Sequence, residues 1–154
     1  MDIDKNHEMI STGYSNMTPW RCPRDIDDQD LYGKLDNLAG KSKRTGTAIF
    51  NLHAPPYDSG LDTAPKLDEN LRPVLAPGGK TMDATVGSKA VREILLKYQP
   101  LLSLHGHIHE SKGFTRIGRT TCLNPGSEYG DGVLKGVLVD LDAEQVKGYV
   151  FTDG

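Results

Sequence analysis

Two short β-prone runs, each of which ends at a histidine, constrain the fold of this chain most strongly. TAIFNL, residues 47–52, leads into His53 and two prolines, and LLSL, residues 101–104, leads into HGHIH. Runs of this kind are typical of buried strands that feed a loop. The carboxyl ends of strands in an open α/β sheet border the ligand crevice, so both histidine clusters are expected at the same crevice.

The surrounding pattern predicts two helices and several loops. Apolar residues recur at three-and-four spacing over 27–39, where Gly40 suits the end of a helix, and over 88–98, where Pro100 ends the next one. Residues 1–24 show no sustained period and are predicted to be loop. Residues 54–86 carry five prolines and predict a long irregular segment of functional or mobile type. The remainder, from residue 114 on, predicts short antiparallel strands.

Composition limits the chain to one modest domain. It has 154 residues, 36% of them hydrophobic, and no apolar run long enough for a membrane span or a signal peptide. We therefore expect a cytoplasmic protein without a membrane partner. A formal net charge of −3 argues against a specific reader of nucleic acid. Cys22 and Cys122 lie far apart and outside any CxxC spacing, which favours buried or incidental thiols.

The clustered histidines point to a divalent metal. A neutral imidazole suits zinc, manganese, iron or nickel, and an extended His-x-His sends His107 and His109 to the same side. Gly106 is expected to let the backbone turn away from the strand. A single histidine is ordinary, but two clusters at strand ends in a chain with five histidines favour a metal site.

GHIH, residues 106–109, with NPGS at 124–127 and NLHAPP at 51–56, resembles the motifs of calcineurin-like metallophosphoesterases. The stretches GYSNMTPW and HAPPYDSGLDTAPKLD are similar to a prokaryotic branch of that family, so the resemblance covers nearly the whole chain. It implies an α/β (α+β) fold in which two mixed β-sheets pack face to face between helices, making four layers. It also implies that a dinuclear metal centre hydrolyses phosphomonoesters or phosphodiesters.

The resemblance assigns roles to individual histidines. His53 and His107 would bind one of two divalent ions and His109 the other, with Mn, Fe, Zn and Ni not distinguished. His105 is additional to the family motif, and it would either support a ligand or substrate phosphate or pack under the turn. Asn124 is a further candidate for supporting a ligand or contacting substrate, although Asn-Pro-Gly favours a turn residue by itself. No residue of this segment is assigned as catalytic.

Several motifs of the family are absent. Asp-x-His, Gly-Asp and Gly-Asn do not occur before residue 51, and His7 in NHEM is interpreted as a loop residue. We therefore expect the C-terminal half of the four-layer sandwich, residues 1–154 forming a partial domain with loop and helix over 1–46 and the metal-ligand half over 47–154. The first half is either missing from a gene fragment or supplied by another chain.

Two functions stay open at this point. The first is a phosphoesterase that is truncated and inactive alone, with a phosphoester as substrate. The second is a non-catalytic remnant that binds a metal or a partner and uses His53, His107 and His109 for one zinc-like ion, or for none. Loss of the first half should leave the strands at 47–52 and 101–104 with unpaired edges, which predicts a homo-oligomer or a partner chain.

Two groups of side chains are interpreted as having no part in the site. The acidic residues of the irregular segment are expected to be solvated. The aromatic residues near the two motifs are expected to pack rather than bind substrate. The acidic group is Asp58, Asp62, Asp68 and Glu69, and the aromatic group is Tyr14, Trp20 and Tyr57.

Overall fold

The computed structural model describes all residues from 1 to 154 and shows a mixed α/β chain, which confirms the expected α+β class. Its two helices and eleven strands follow one another along the chain. They are β1 (Met9–Thr12), β2 (Ser15–Asn16), β3 (Asp25–Ile26), α1 (Asp28–Ala39), β4 (Ile49–Leu52), β5 (Thr63–Pro65), β6 (Asp83–Thr85), α2 (Lys89–Tyr98), β7 (Leu102–Leu104), β8 (Gly113–Ile117), β9 (Thr120–Asn124), β10 (Lys135–Leu141) and β11 (Val146–Asp153).

The central sheet has five strands in the order β1, β4, β7, β9, β8. The first four run parallel, and β8 lies antiparallel to β9 at one edge. Helix α1 connects β1 to β4, and α2 precedes β7 after the irregular segment. Parallel neighbours require such crossovers. The carboxyl ends of the four parallel strands consequently lie side by side at one end of the sheet.

Side chains alternate between the two faces of this sheet. Phe50 and Leu52 of β4 pack with both helices in the main core, whereas Ile49 faces the other side. There Ile49 joins Leu102 and Leu123 beneath the β10–β11 ribbon. The chain therefore has three layers, namely helices, the five-stranded sheet and a two-stranded antiparallel ribbon.

The two helices begin at a shared acidic anchor. Ser88 caps α2, since its Oγ accepts a hydrogen bond from the Val91 amide at 3.1 Å. The Asp28 carboxylate in the first turn of α1 accepts from Ser88 Oγ at 2.5 Å and from the Lys89 amide at 3.1 Å. One carboxylate thus fixes the start of α2 against the start of α1.

Both predicted helices and both strands that precede histidines are confirmed, but two other expectations are wrong. Residues 1–24 were expected to be loop, as the first part of the loop and helix over 1–46, but they contain β1 and β2. β1 pairs with β4 over the full length of both strands. The strands at 47–52 and 101–104 have no free edges, because β4 lies between β1 and β7, and β7 lies between β4 and β9. The edges of the sheet are β1 and β8.

The helices and thiols add two smaller observations. Neither α1 nor α2 is long and apolar enough to cross a bilayer. Both thiols are free, with Cys22 exposed and Cys122 buried, and burial raises the pKa of Cys122 to about 12.

Trp20 is 62% exposed, so the expectation that it packs is wrong.

The irregular segment between β4 and α2 contains a buried carboxylate, contrary to the expectation that its acids are solvated. Asp62 is fully buried and accepts hydrogen bonds from the amides of Asp58, Ser59 and Gly87 at 2.9, 3.0 and 3.1 Å. A Cβ at Gly87 would lie 2.7 Å from the Asp62 Cβ and 2.8 Å from the Pro55 carbonyl oxygen. Only glycine therefore lets these two loop ends meet.

Replacing Asp62 by alanine is expected to lower the free energy of unfolding by about 2–4 kcal/mol, because three amides, of which that of Gly87 is buried, lose their acceptor. Asp68→Ala is the matched control, since Asp68 accepts from two amides in an exposed turn, and its loss should stay below about 1 kcal/mol. Urea unfolding followed by circular dichroism measures both. Equal losses would contradict the anchoring role of Asp62.

Candidate metal site

Two imidazoles meet at the carboxyl ends of β4 and β7. His53 directly follows β4, and His107 lies three residues beyond the end of β7. The two strands pair in parallel, with Asn51 opposite Leu104. His107 Nδ1 lies 3.2 Å from His53 Nε2, and the ring centroids are 4.8 Å apart in an edge-to-face arrangement. Parallel pairing thus brings together side chains that are 54 residues apart in the sequence.

Ser15 of β2 contacts the other nitrogen of His107. Its buried hydroxyl lies 3.0 Å from His107 Nε2 and has no other side-chain partner. When Ser15 accepts the Nε2–H, the lone pair of His107 Nδ1 faces His53. A hydrogen bond of this kind to the distal nitrogen orients a metal-binding histidine.

His107 itself, rather than Gly106, makes the turn out of the strand. His107 has φ 64°, in the left-handed region, whereas Gly106 does not have a positive φ. A non-glycine residue in this region costs of order 1–3 kcal/mol and is found mostly where other contacts fix it. The expectation that Gly106 supplies the turn is therefore wrong. The left-handed backbone of His107 occurs together with the contacts of its ring with Ser15 and His53.

His109 does not join the pair. It is exposed, and its ring contacts Tyr129 with centroids 5.3 Å apart. The chain is not extended after β7, because His107 interrupts the alternation on which the same-side expectation depended. A role for His109 as ligand of a second ion thus stays a prediction.

The donor set fits a part of one metal site. Zinc–imidazole bonds of 2.0–2.1 Å place two ligand nitrogens of a tetrahedron ~3.3 Å apart, which is close to the 3.2 Å between His53 and His107. No group of three or more His, Cys, Asp or Glu side chains is arranged to hold a metal ion. The described residues therefore bring together two imidazole nitrogens whose spacing suits a single borderline ion.

Local electrostatics keep the pair neutral. Burial lowers the pKa of His53, and the positive charges of His109 and Arg24 lower it further. Burial also lowers the pKa of His107, with a contribution from His53. The Asp25 carboxylate opposes both changes without reversing them. Near pH 7 both rings are consequently neutral, and each has one nitrogen with a lone pair.

His105 holds the backbone on both sides of His53. Its Nδ1 lies 3.1 Å from the Leu52 carbonyl oxygen and 2.9 Å from that of Ala54, so this nitrogen carries the proton and donates. Burial lowers the pKa of His105 to about 4, although these two hydrogen bonds oppose the change. Of the two roles left open by the sequence, the structure shows His105 packed under the loop, where it positions His53.

Asn124 is a structural turn residue. Its side-chain amide donates to the Ile108 carbonyl oxygen at 2.9 Å, and its Oδ1 accepts from the Gly126 amide at 3.0 Å. It is fully buried at the end of β9. Asn124 thereby ties the NPGS turn to the histidine loop, and the turn chemistry of Asn-Pro-Gly was the sequence signal for this role.

Three residues near the pair were missed by sequence reasoning. Ser15 lies in β2, Asp25 lies in β3, and Arg24 lies between the two strands. Ser15 pairs with Asp25 in a short parallel bridge. Burial acts to raise the pKa of Asp25, but hydrogen bonds from Thr18 and Cys22 outweigh it and lower the pKa. Strands of two residues leave no periodicity, so no local signal marks this segment.

Two solved structures resemble the fold of this chain over nearly its whole length. One crystal structure superposes with a TM-score of 0.55 at 18% identity, over 99% of this chain and 47% of the other. The crystal structure of TT1561 from Thermus thermophilus superposes with a TM-score of 0.52 at 19% identity, over 96% of this chain and 52% of the other. At these identities the likeness concerns the fold alone.

A closer likeness in sequence is to the uncharacterized protein MJ1162 of Methanocaldococcus jannaschii. The two are 32% identical over 124 residues, which are 79% of this chain and 49% of the archaeal protein. The chain therefore spans about half the length of this relative. No protein-family model matches the chain.

The buried neutral His105 predicts an acid-dependent loss of stability. The pKa of this ring is 6.5 in the unfolded chain and about 4 in the folded chain. Its contribution to the free energy of unfolding is therefore fully present above pH 6.5 and is lost as the pH falls toward 4. The loss attributable to this ring is about 3 kcal/mol. His105→Asn, whose amide can donate in place of Nδ1–H, should flatten the dependence of urea midpoints on pH between 4 and 6.5. The exposed His109→Gln is the control, and an unchanged slope in His105→Asn would contradict the role of His105.

Proposed function

We propose that this chain contributes His53 and His107 to the metal centre of a phosphoester hydrolase. The observation that carries the proposal is the 3.2 Å approach of the two neutral imidazoles at the carboxyl ends of adjacent parallel strands. Neutral rings leave the charge of a bound cation undiminished, as a site for anionic phosphoesters requires. The resemblance of NLHAPP and GHIH to metallophosphoesterase motifs supports the same function.

Each group of this chain has a distinct part in the proposed site. A divalent ion bound here would supply Lewis acidity and would make a bound water acidic enough to react near neutral pH. His53 Nε2 and His107 Nδ1 would hold the ion, and Ser15 would orient the ring of His107 by accepting its Nε2–H. His105 fixes the backbone on both sides of His53. Mn, Fe, Zn and Ni all suit the imidazole pair.

The remaining ligands are proposed to come from outside these residues. A dinuclear centre needs bridging carboxylates, and no described carboxylate forms a metal-binding group with the two histidines. His109 is exposed near the pair and is proposed as a ligand of the second ion. The β10–β11 ribbon is proposed as part of the second sheet of a four-layer sandwich, which the other half of a longer protein or a second chain would complete.

A second candidate function is the binding of a single ion without catalysis. It is favoured by the absence of a third His, Cys, Asp or Glu ligand beside His53 and His107. A water molecule and one other donor would complete four-coordination in that case. The two functions share the imidazole pair and differ in whether phosphoesters are hydrolysed.

Zinc titration by calorimetry tests the shared imidazole pair. We expect one ion per chain, about a hundred-fold weaker binding in His53→Ala or His107→Ala, and about ten-fold weaker binding in Ser15→Ala. His7→Gln is the matched histidine control, because His7 is buried between the Asp4 carboxylate and the Asp142 carbonyl oxygen, as suits a structural loop residue. Its affinity should match the unmodified chain. Unchanged uptake in His53→Ala and His107→Ala would mean that the ligands are elsewhere.

Hydrolysis separates the enzyme from the ion-binding remnant. With manganese and a chromogenic phosphomonoester or phosphodiester, full-length MJ1162 should show turnover that EDTA abolishes, while this chain alone should remain at background because the carboxylate ligands are missing. Turnover by this chain that is lost in His107→Ala would show that the described residues suffice. Absence of metal-dependent turnover in both proteins would favour the non-catalytic function.

A further inference from the structure

We propose that Arg24 binds the phosphoryl anion of the substrate beside the His53–His107 pair, an inference that rests on the proposed function. Arg24 is exposed and lies directly before β3. Its guanidinium has no partner within the chain, and the backbone at Gly13 leaves space for it. The ligand class is a phosphate monoester or diester group, represented in the simplest case by inorganic phosphate.

The position of Arg24 depends on a glycine. A Cβ built at Gly13 would overlap Arg24 Nη1 and lie 3.5 Å from Cζ. The guanidinium therefore occupies the space that any other side chain at position 13 would take. The colliding atom is the free end of a flexible side chain, so an alanine at position 13 would displace the guanidinium and leave the backbone in place.

The charge of Arg24 is not neutralised inside the chain. Its guanidinium forms neither an ion pair nor a hydrogen bond, whereas Arg44 pairs with Asp2 and Glu8. The neighbouring Asp25 is committed elsewhere, since its carboxylate accepts from Thr18 Oγ1, from the Thr18 amide at 3.1 Å and from the Cys22 amide at 2.9 Å. All three of these hydrogen bonds end on Asp25 Oδ2, and none of them involves Arg24. The guanidinium of Arg24 is therefore free to take an anion from solution.

Backbone pairing places Arg24 next to the imidazoles. The Ser15 amide donates to the Arg24 carbonyl oxygen at 3.0 Å, and the hydroxyl of the same serine contacts His107. The positive charge of Arg24 is also close enough to act on the His53 ring. Arg24 therefore lies near both histidines, although the three residues come from three separate segments.

The chemistry of the guanidinium fits a phosphoryl group. Its planar set of donors matches two oxygens of a phosphate, and charge-assisted bonds of this type are about twice as strong as neutral ones. The imidazoles are neutral and do not compete for the anion as cations. Arg24 would thus neutralise the phosphoryl oxygens while His53 and His107 bind the ion.

Titration with inorganic phosphate in EDTA, followed by amide shifts in NMR spectra at pH 7.5, tests the proposal without a metal. We expect shifts around residues 13–25, and about ten-fold weaker binding in Arg24→Gln. Gly13→Ala should also weaken binding, although the charge of Arg24 is retained. Arg21→Gln removes the same charge from an exposed position of the same loop, and it should change the affinity less than about two-fold.

Three results would overturn the assignment of Arg24. They are unchanged affinity in Arg24→Gln, equal losses in Arg24→Gln and Arg21→Gln, and no saturable phosphate binding in the unmodified chain. Zinc titration of the same variants distinguishes this failure from failure of the proposed function. Intact zinc binding without a phosphate effect of Arg24 would refute only the anion site, whereas zinc uptake that is independent of His53 and His107 would refute the metal site.

Discussion

Parallel pairing of β4 with β7 is the constraint on which the candidate site depends. Parallel strands end at the same edge, and the register of Asn51 opposite Leu104 leaves His53 and His107 only a few residues from that edge. The same sheet is covered by helices on one face and by the β10–β11 ribbon on the other, so its position is fixed from both sides. A slip of one residue in either strand would move the buried side chains to the wrong face and separate the imidazoles.

His53 and His107 are held in place by different kinds of polar contact. His105 binds the carbonyl groups before and after His53, and Ser15 contacts the ring of His107. The first contact fixes the backbone around His53, and the second holds the ring of His107 in place. Both contacts use groups buried in or under the loop, where a hydrogen bond is stronger than in water and an unpaired group is costly.

The apolar periodicity of the sequence predicted the α+β class and four of its elements, whereas the pairing of the shortest strands was not visible in it. The apolar spacing of α1 and α2 and the runs before His53 and His107 were sufficient to place four elements. β2 and β3 have two residues each, which is too short for a pattern, so their formation depends on tertiary contacts. Ser15 and Arg24 were therefore missed, and so was the left-handed conformation of His107, which local propensity disfavours.

The carboxylates near the site serve the backbone, and this explains why the acidic residues of the irregular segment form no metal centre with the histidines. Asp62 and Asp25 each accept hydrogen bonds from several loop donors, and Asp28 joins the starts of the two helices. Both oxygens of Asp62 accept from amides, so this carboxylate would have to break those bonds in order to bind a cation, at a cost of about 1–3 kcal/mol for each buried amide left unpaired. The imidazoles of His53 and His107 have no such commitment to the backbone. The two imidazole nitrogens are therefore the donors that the proposed centre would draw on first.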